Sequence, residues 1–164
     1  MGKVAERLSP MKAAPISLAG LLLCAPAFAQ QSVIDSIDMQ AVCAQAQGKL
    51  DYFGARLALP AANETAFRVQ VAVPVSQGGE AREYVWLTGI KPFDAYGEGI
   101  VEADAERFPL KKGETLKFRR DMICDWGFER DGRMIGHYTT RAALTVLAPD
   151  VAMVVGARLG TNPE

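Results

Sequence analysis

The chain has 164 residues, 49% hydrophobic and 23% charged, with 18 Lys+Arg against 19 Asp+Glu. That balance describes an ordinary folded domain and excludes a disordered chain, a collagen-like repeat or a supercharged nucleic-acid binder. It names no reaction and no ligand.

The first segment reads as an export signal. Lys3, Arg7 and Lys12 precede a short apolar run, Ile16 to Leu23, which ends in the small-x-small site Ala27-Phe28-Ala29. The run is too short to span a bilayer, so cleavage is expected after Ala29, leaving Gln30 as the mature N-terminus. Met11, directly before Lys12 and the apolar run, is the better natural start. Cys24 is preceded by Leu23 rather than a small residue, which argues against lipid anchoring there. The expected location is periplasmic or secreted, with no stable membrane span after cleavage. Residues 1–29 are thus a signal peptide, 30–63 an N-terminal helix and linker, and 64–164 a sheet with a C-terminal segment, 30–164 forming one domain.

Removal of the leader leaves 15 basic and 18 acidic residues, a net charge of −3. No nucleic-acid partner is implied. Cys43 and Cys124 remain; an oxidising compartment makes them candidates for one disulfide, and the alternative is two buried free thiols. That bridge would close 81 positions and stabilise by roughly 4 kcal/mol. Neither a Cys-x-x-Cys motif nor zinc-ligand spacing is present, so no metal and no cofactor is expected.

Along the mature chain, Ile34, Ile37, Val42, Ala46, Leu50, Phe53 and Leu57 recur at helical steps, predicting a helix over 33–58 with Ser32 as N-cap and a weak point at Gly48. Leu59-Pro60 ends it. Phe67, Val69, Val71 and Val73 alternate with polar or small residues, predicting a strand, and Gln77-Gly78-Gly79-Glu80 supplies a turn into a second strand over 83–91. Tyr84 and Trp86 fall on one face of that second strand, Val85 and Leu87 on the other. Further strands are expected over 97–103 and 115–123. Asp131-Gly132 is the strongest hairpin signal, joining Trp126-Gly127-Phe128 to Met134-Ile135. Thr139 or Thr140 then caps a short helix through Arg141, Leu144 and Leu147, stopped by Pro149. Residues 151–159 fit a strand or a helix equally well. The expected architecture is α+β: an N-terminal helix packed on a mostly antiparallel sheet, with a short helix near the C-terminus.

The densest cluster of chemically capable residues is Ile123-Cys124-Asp125-Trp126 with Gly136-His137-Tyr138-Thr139-Thr140-Arg141, which the hairpin brings side by side. Together with Glu83-Tyr84-Val85-Trp86 and Leu110-Lys111-Lys112-Gly113-Glu114, these four blocks resemble the signature of the YegJ-like family of bacterial proteins, over about residues 39–147. The resemblance implies a compact α+β domain, often exported, and no particular activity. The family pattern has Ser at the position of Cys124 and Gly at that of His137, so a family-wide catalytic role for either is not implied.

Three functional readings follow. A non-enzymatic binding module would use a surface around Asp125, Trp126, Tyr138 and Arg141 to hold a protein or envelope component. A hydrolase or transferase would use His137 as a base oriented by Asp125, or Cys124 as a nucleophile paired with His137. An inhibitor or immunity-type protein would present a concentrated acidic face to a basic partner. The structural reading of the same residues, Glu83, Trp86, Asp125, Trp126, Tyr138, Thr139 and Arg141, is a fold-holding cluster in which Asp125 pairs with Arg141 or accepts backbone N–H groups.

Overall fold

A computed structural model describes residues 35–76 and 80–163. The export signal with Ala29, Gln30 and Cys24, the proposed Ser32 cap and the Gln77-Gly78-Gly79 turn lie outside the described residues.

Two helices, α1 (Met39–Gly48) and α2 (Leu50–Ala58), replace the single predicted one. The break falls at Lys49, directly after Gly48, where the backbone leaves the helical region (φ −119°, ψ 12°). Asp38 caps α1 by accepting from the N–H of Ala41. Six strands follow: β1 (Glu64–Pro74), β2 (Arg82–Thr88), β3 (Tyr96–Val101), β4 (Thr115–Arg119), β5 (Ile123–Arg130) and β6 (Arg133–Gly136). They form one sheet in the order β4-β3-β2-β1-β5-β6, every neighbouring pair antiparallel. The strand expected over 115–123 ends at Arg119, where a 3-10 turn, Arg120–Met122, carries the chain into β5.

The helices cover one face of the sheet. Val42, Ala46, Leu50, Phe53 and Leu57 pack on Val69, Val71, Val85, Leu87, Trp126 and Phe128 in one continuous core. Phe53 lies 5.3 Å from Trp126, and Phe67 stacks on Phe128 at 4.9 Å. All six positions from Ile123 to Phe128 are buried. A bulge explains the missing alternation: Gln70 pairs with Asp125 but Val71 pairs with Ile123, so Cys124 is the extra residue. Asp131 (φ 52°) and Gly132 (φ 72°) both take the left-handed conformation that a tight two-residue hairpin demands.

A last helix pair closes the molecule. The segment α3 (Tyr138–Ala143) is shorter than predicted and stops before Leu144 and Leu147, and α4 (Pro149–Gly156) resolves the ambiguous C-terminal stretch as helix. Beyond α4 the chain docks on the edge of β6: Met134 and Leu159 form a parallel bridge, and Asn162 accepts from the N–H of Gly136. This covers an otherwise unpaired strand edge. Among the described residues no helix is long and apolar enough to cross a membrane.

An ion-pair node fastens α2 to the sheet. The Glu64 side chain is 1% exposed and accepts from Arg56, Arg130 and the N–H of Ala61. Burial alone would raise its pKa, but the bonds from Arg56, Ala61 and Arg130 carry it down to about 2. Because the folded value is depressed, this stabilisation is present above pH 4.5 and lost as pH falls toward 2. With both arginines about a third exposed, Glu64→Gln is expected to cost on the order of 1–2 kcal/mol. Urea midpoints at acid and neutral pH check this; a variant as acid-sensitive as the parent chain would contradict it.

Candidate functional site

Asp125 stands on β5 on the sheet face opposite the helices, and it is fully buried. Its Oδ1 accepts from the N–H groups of Trp126 (2.7 Å) and Tyr138 (2.9 Å), and its Oδ2 from the N–H of Thr139 (2.8 Å). Two of these donors belong to the first turn of α3, whose N–H groups have no partner within the helix. Asp125 therefore caps α3 from across the hairpin, and the expected cap at Thr139 or Thr140 is corrected. Thr139 lies inside the helix and donates its hydroxyl to Oε1 of Gln70 at 3.1 Å. Burial outweighs the N–H bonds from Thr139, Tyr138 and Trp126 and raises the Asp125 carboxyl to about 6.

Arg141 does not pair with Asp125. Its guanidinium donates to the carbonyls of Gly136 (2.7 Å) and Gly160 (2.7 Å), tying α3 to β6 and to the C-terminal segment. Trp126 is fully buried and gives its indole N–H to the carbonyl of Ala46 on α1. Tyr138 packs edge-on against it at 5.4 Å. Asp125 and Trp126 consequently line no surface, and the exterior expected around them is interior.

His137 precedes α3 with φ 52° and ψ 50°. That left-handed conformation suits glycine, the residue the resemblance places there, and is strained but tolerated for histidine. The backbone turn throws the imidazole over Gly127, where any Cβ would collide with Nε2, and onto the half-buried ring of Trp86 at 5.6 Å. Burial, then the charges of Arg68 and Arg141, lower its pKa to about 3, so it is neutral throughout the physiological range. The carboxyl of Asp125 engages backbone groups and not this ring, which separates the two members of the expected catalytic pair. Cys124 is equally committed: it is disulfide-bonded to Cys43 and is no nucleophile.

The two remaining blocks hold loops. Glu83 accepts from the N–H groups of Glu106 and Arg107. In the 110–114 block, Glu114 accepts from the N–H of Lys111, and Gly113 turns at φ 89° while donating to the carbonyl of Val101. Each block thus closes a turn or caps an element.

The side chains gathered beside Trp86 and His137 include Arg68, Gln70 and Glu102, none of which stands out by sequence motif. Arg68 pairs across the sheet with Gly127 and forms a 3.1 Å ion pair with Glu102. Gln70 lies between Trp86 and Asp125 in the cross-strand register and is buried. The one signal for this cluster is Gly127, a glycine inside a strand, which marks close approach by another group.

A family model matches residues 36–155, and these include all four sequence blocks. The chain belongs to the DUF2314 family, described as an uncharacterized protein conserved in bacteria. No curated protein and no solved structure matches it. The DUF2314 match begins three residues before α1 and ends within α4. It therefore takes in both helices on the sheet, all six strands and the Asp125 cap.

Proposed function

We propose that this DUF2314 chain is an exported, disulfide-stabilised binding module of the bacterial cell envelope rather than an enzyme, and that within the family it stands with the YegJ-like proteins. The observation carrying this reading is that the acid, the base and the nucleophile expected for catalysis are committed elsewhere. Asp125 caps α3, His137 is neutral under Trp86, and Cys124 is oxidised. What stays accessible is a half-open sheet face rather than a set of reacting groups. The leader Ile16 to Ala29 and the Cys43–Cys124 bridge support an oxidising, extracytoplasmic setting.

Cell fractionation with N-terminal sequencing tests export; the expected product is a periplasmic chain beginning at Gln30. Co-sedimentation of the purified chain with envelope extract, beside a Trp86→Ala variant whose melting curve shows it folded, tests binding. Retention that weakens in the variant supports the module. Absence of retention by any fraction overturns it, as would hydrolysis that His137→Asn abolishes.

A further inference from the structure

The arm formed by α4 and the strap after it, residues 157–162, is attached unevenly. The strap is held by fitted polar contacts. The N–H of Met134 donates to the carbonyl of Arg158 and that of Gly160 to the carbonyl of Met134, both at 2.9 Å, while Arg133 donates to the carbonyl of Ala157. Asn162 accepts from the N–H of Gly136, and the carbonyl of Gly160 accepts from Arg141. A Cβ on Gly160 would lie 2.6 Å from Ile135, so the seat is shaped for glycine there. The helix, by contrast, has no buried residue: Val151, Met153 (71% exposed) and Val154, with Val146 just before them, leave an apolar surface in water. Eight residues are too few for a helix to persist without packing.

Charge selects what packs on it. Residues 142–157 carry one charged side chain, Asp150. A bilayer surface is recognised by Lys and Arg flanking the apolar face, whereas Arg133 and Arg141 here are bonded to backbone carbonyls. A charged protein partner would find almost nothing to pair with. A surface nearly free of charge is what a two-fold contact between identical surfaces requires, since each charge there meets its own copy. One face of α4 measures only about 12 Å by 10 Å, far less than the roughly 800 Å² per partner of a stable interface. The strap can supply the rest. Turn bonds after α3 end at Leu147, and those of α4 begin with the N–H of Ala152 on the carbonyl of Ala148. Pro149 has no N–H, and Ala148 is extended (φ −57°, ψ 142°), so the chain can redirect at 147–149 with the bonds on either side intact.

We propose that the chain forms a two-fold dimer by exchanging this arm: the strap of each copy occupies the β6 edge of the other, and the two α4 helices pack apolar face to apolar face. The seat is filled by the same groups as within one chain, so its hydrogen bonds are conserved and the cover of α4 is gained. The exchange does not depend on what the domain binds.

Sedimentation equilibrium of the purified, oxidised chain between about 1 µM and 1 mM should show a monomer–dimer equilibrium. Met153→Glu/Val154→Glu, at two exposed positions, should weaken the dimer by about tenfold or more while the dilute chain melts as before. In the exchanged dimer Met134 of one copy neighbours Leu159 of the other, and adjacent strands lie about 4.8 Å apart, within disulfide reach. Met134→Cys/Leu159→Cys, oxidised at high concentration, should therefore run as a covalent dimer on a denaturing, non-reducing gel, and neither single variant should. A chain that stays monomeric to about 1 mM overturns the proposal. So does a dimer indifferent to Met153→Glu/Val154→Glu, or a double cysteine variant that cross-links within one chain or not at all.

Discussion

Asp125→Ala is expected to destabilise the fold by about 4 kcal/mol, because it strands three N–H groups in the protein interior. Those of Trp126 and Tyr138 are buried, and that of Thr139 is partly so. Asp125→Asn keeps one acceptor oxygen and should cost about half as much. The pH dependence separates this carboxyl from its neighbour. Asp125 has its folded pKa raised from 3.8 to about 6, so its contribution is fully present below pH 3.8 and lost as pH rises through 6. His137 is depressed from 6.5 to about 3, so its contribution is present above pH 6.5 and lost as pH falls through 3. Each shift corresponds to roughly 3–5 kcal/mol at about 1.4 kcal/mol per unit. The slopes oppose one another between about pH 4.5 and 6, and stability there should be nearly flat. Asp125→Asn should convert the plateau into a rise with pH, and His137→Asn into a fall. Urea denaturation of the three proteins across pH 4–7 measures this; parallel curves would refute the assignment.

Loss of the Cys43–Cys124 bridge is expected to cost about 4–5 kcal/mol, from the loop-closure entropy of a sequence separation of 81. The bridge joins α1 to the bulged residue of β5, the strand that also carries Asp125, Trp126 and Gly127. Reduction, or paired substitution by serine, should therefore lower the unfolding midpoint and loosen the helix layer first, with Trp126 losing its bond to Ala46. Thiol titration of denatured, unreduced protein should find no more than the Cys24 thiol. Two additional free thiols, or a midpoint unmoved by reductant, would contradict the expectation.

How far the chain was legible follows from the range of the interactions involved. The alternation of Val69, Val71 and Val73 and the Asp131-Gly132 turn are set by neighbours a few residues apart, and both appear in the fold as expected. The break at Lys49 was foreshadowed by Gly48. The cap of α3 was misassigned because a threonine at a helix start is the local solution. The actual acceptor, Asp125, is 13 and 14 residues upstream of the N–H groups it takes. Of the two structural roles expected for Asp125, acceptance of backbone N–H groups is the one realised; Arg141 instead takes the backbone carbonyls of Gly136, five residues before it, and Gly160, 19 residues after it. Sequence proximity suggested a shared surface for Asp125, Trp126 and Tyr138, but the bulge at Cys124 and the buried face of β5 put them inside.

By itself, the amino-acid sequence determined the α+β class, the antiparallel pairing of its hairpins and the two cysteines available to form a bridge. Periodicity, turn chemistry and cysteine count are local or compositional quantities. Tertiary structure alone decided which polar residues are spent holding the backbone and which retain unpartnered groups. That distinction depends on burial and on partners distant in the chain. Between the catalytic and scaffold roles expected for Asp125 and Cys124 it chose scaffold, and it brought Arg68, Gln70 and Glu102 together with Trp86 and His137 on the open face of the sheet.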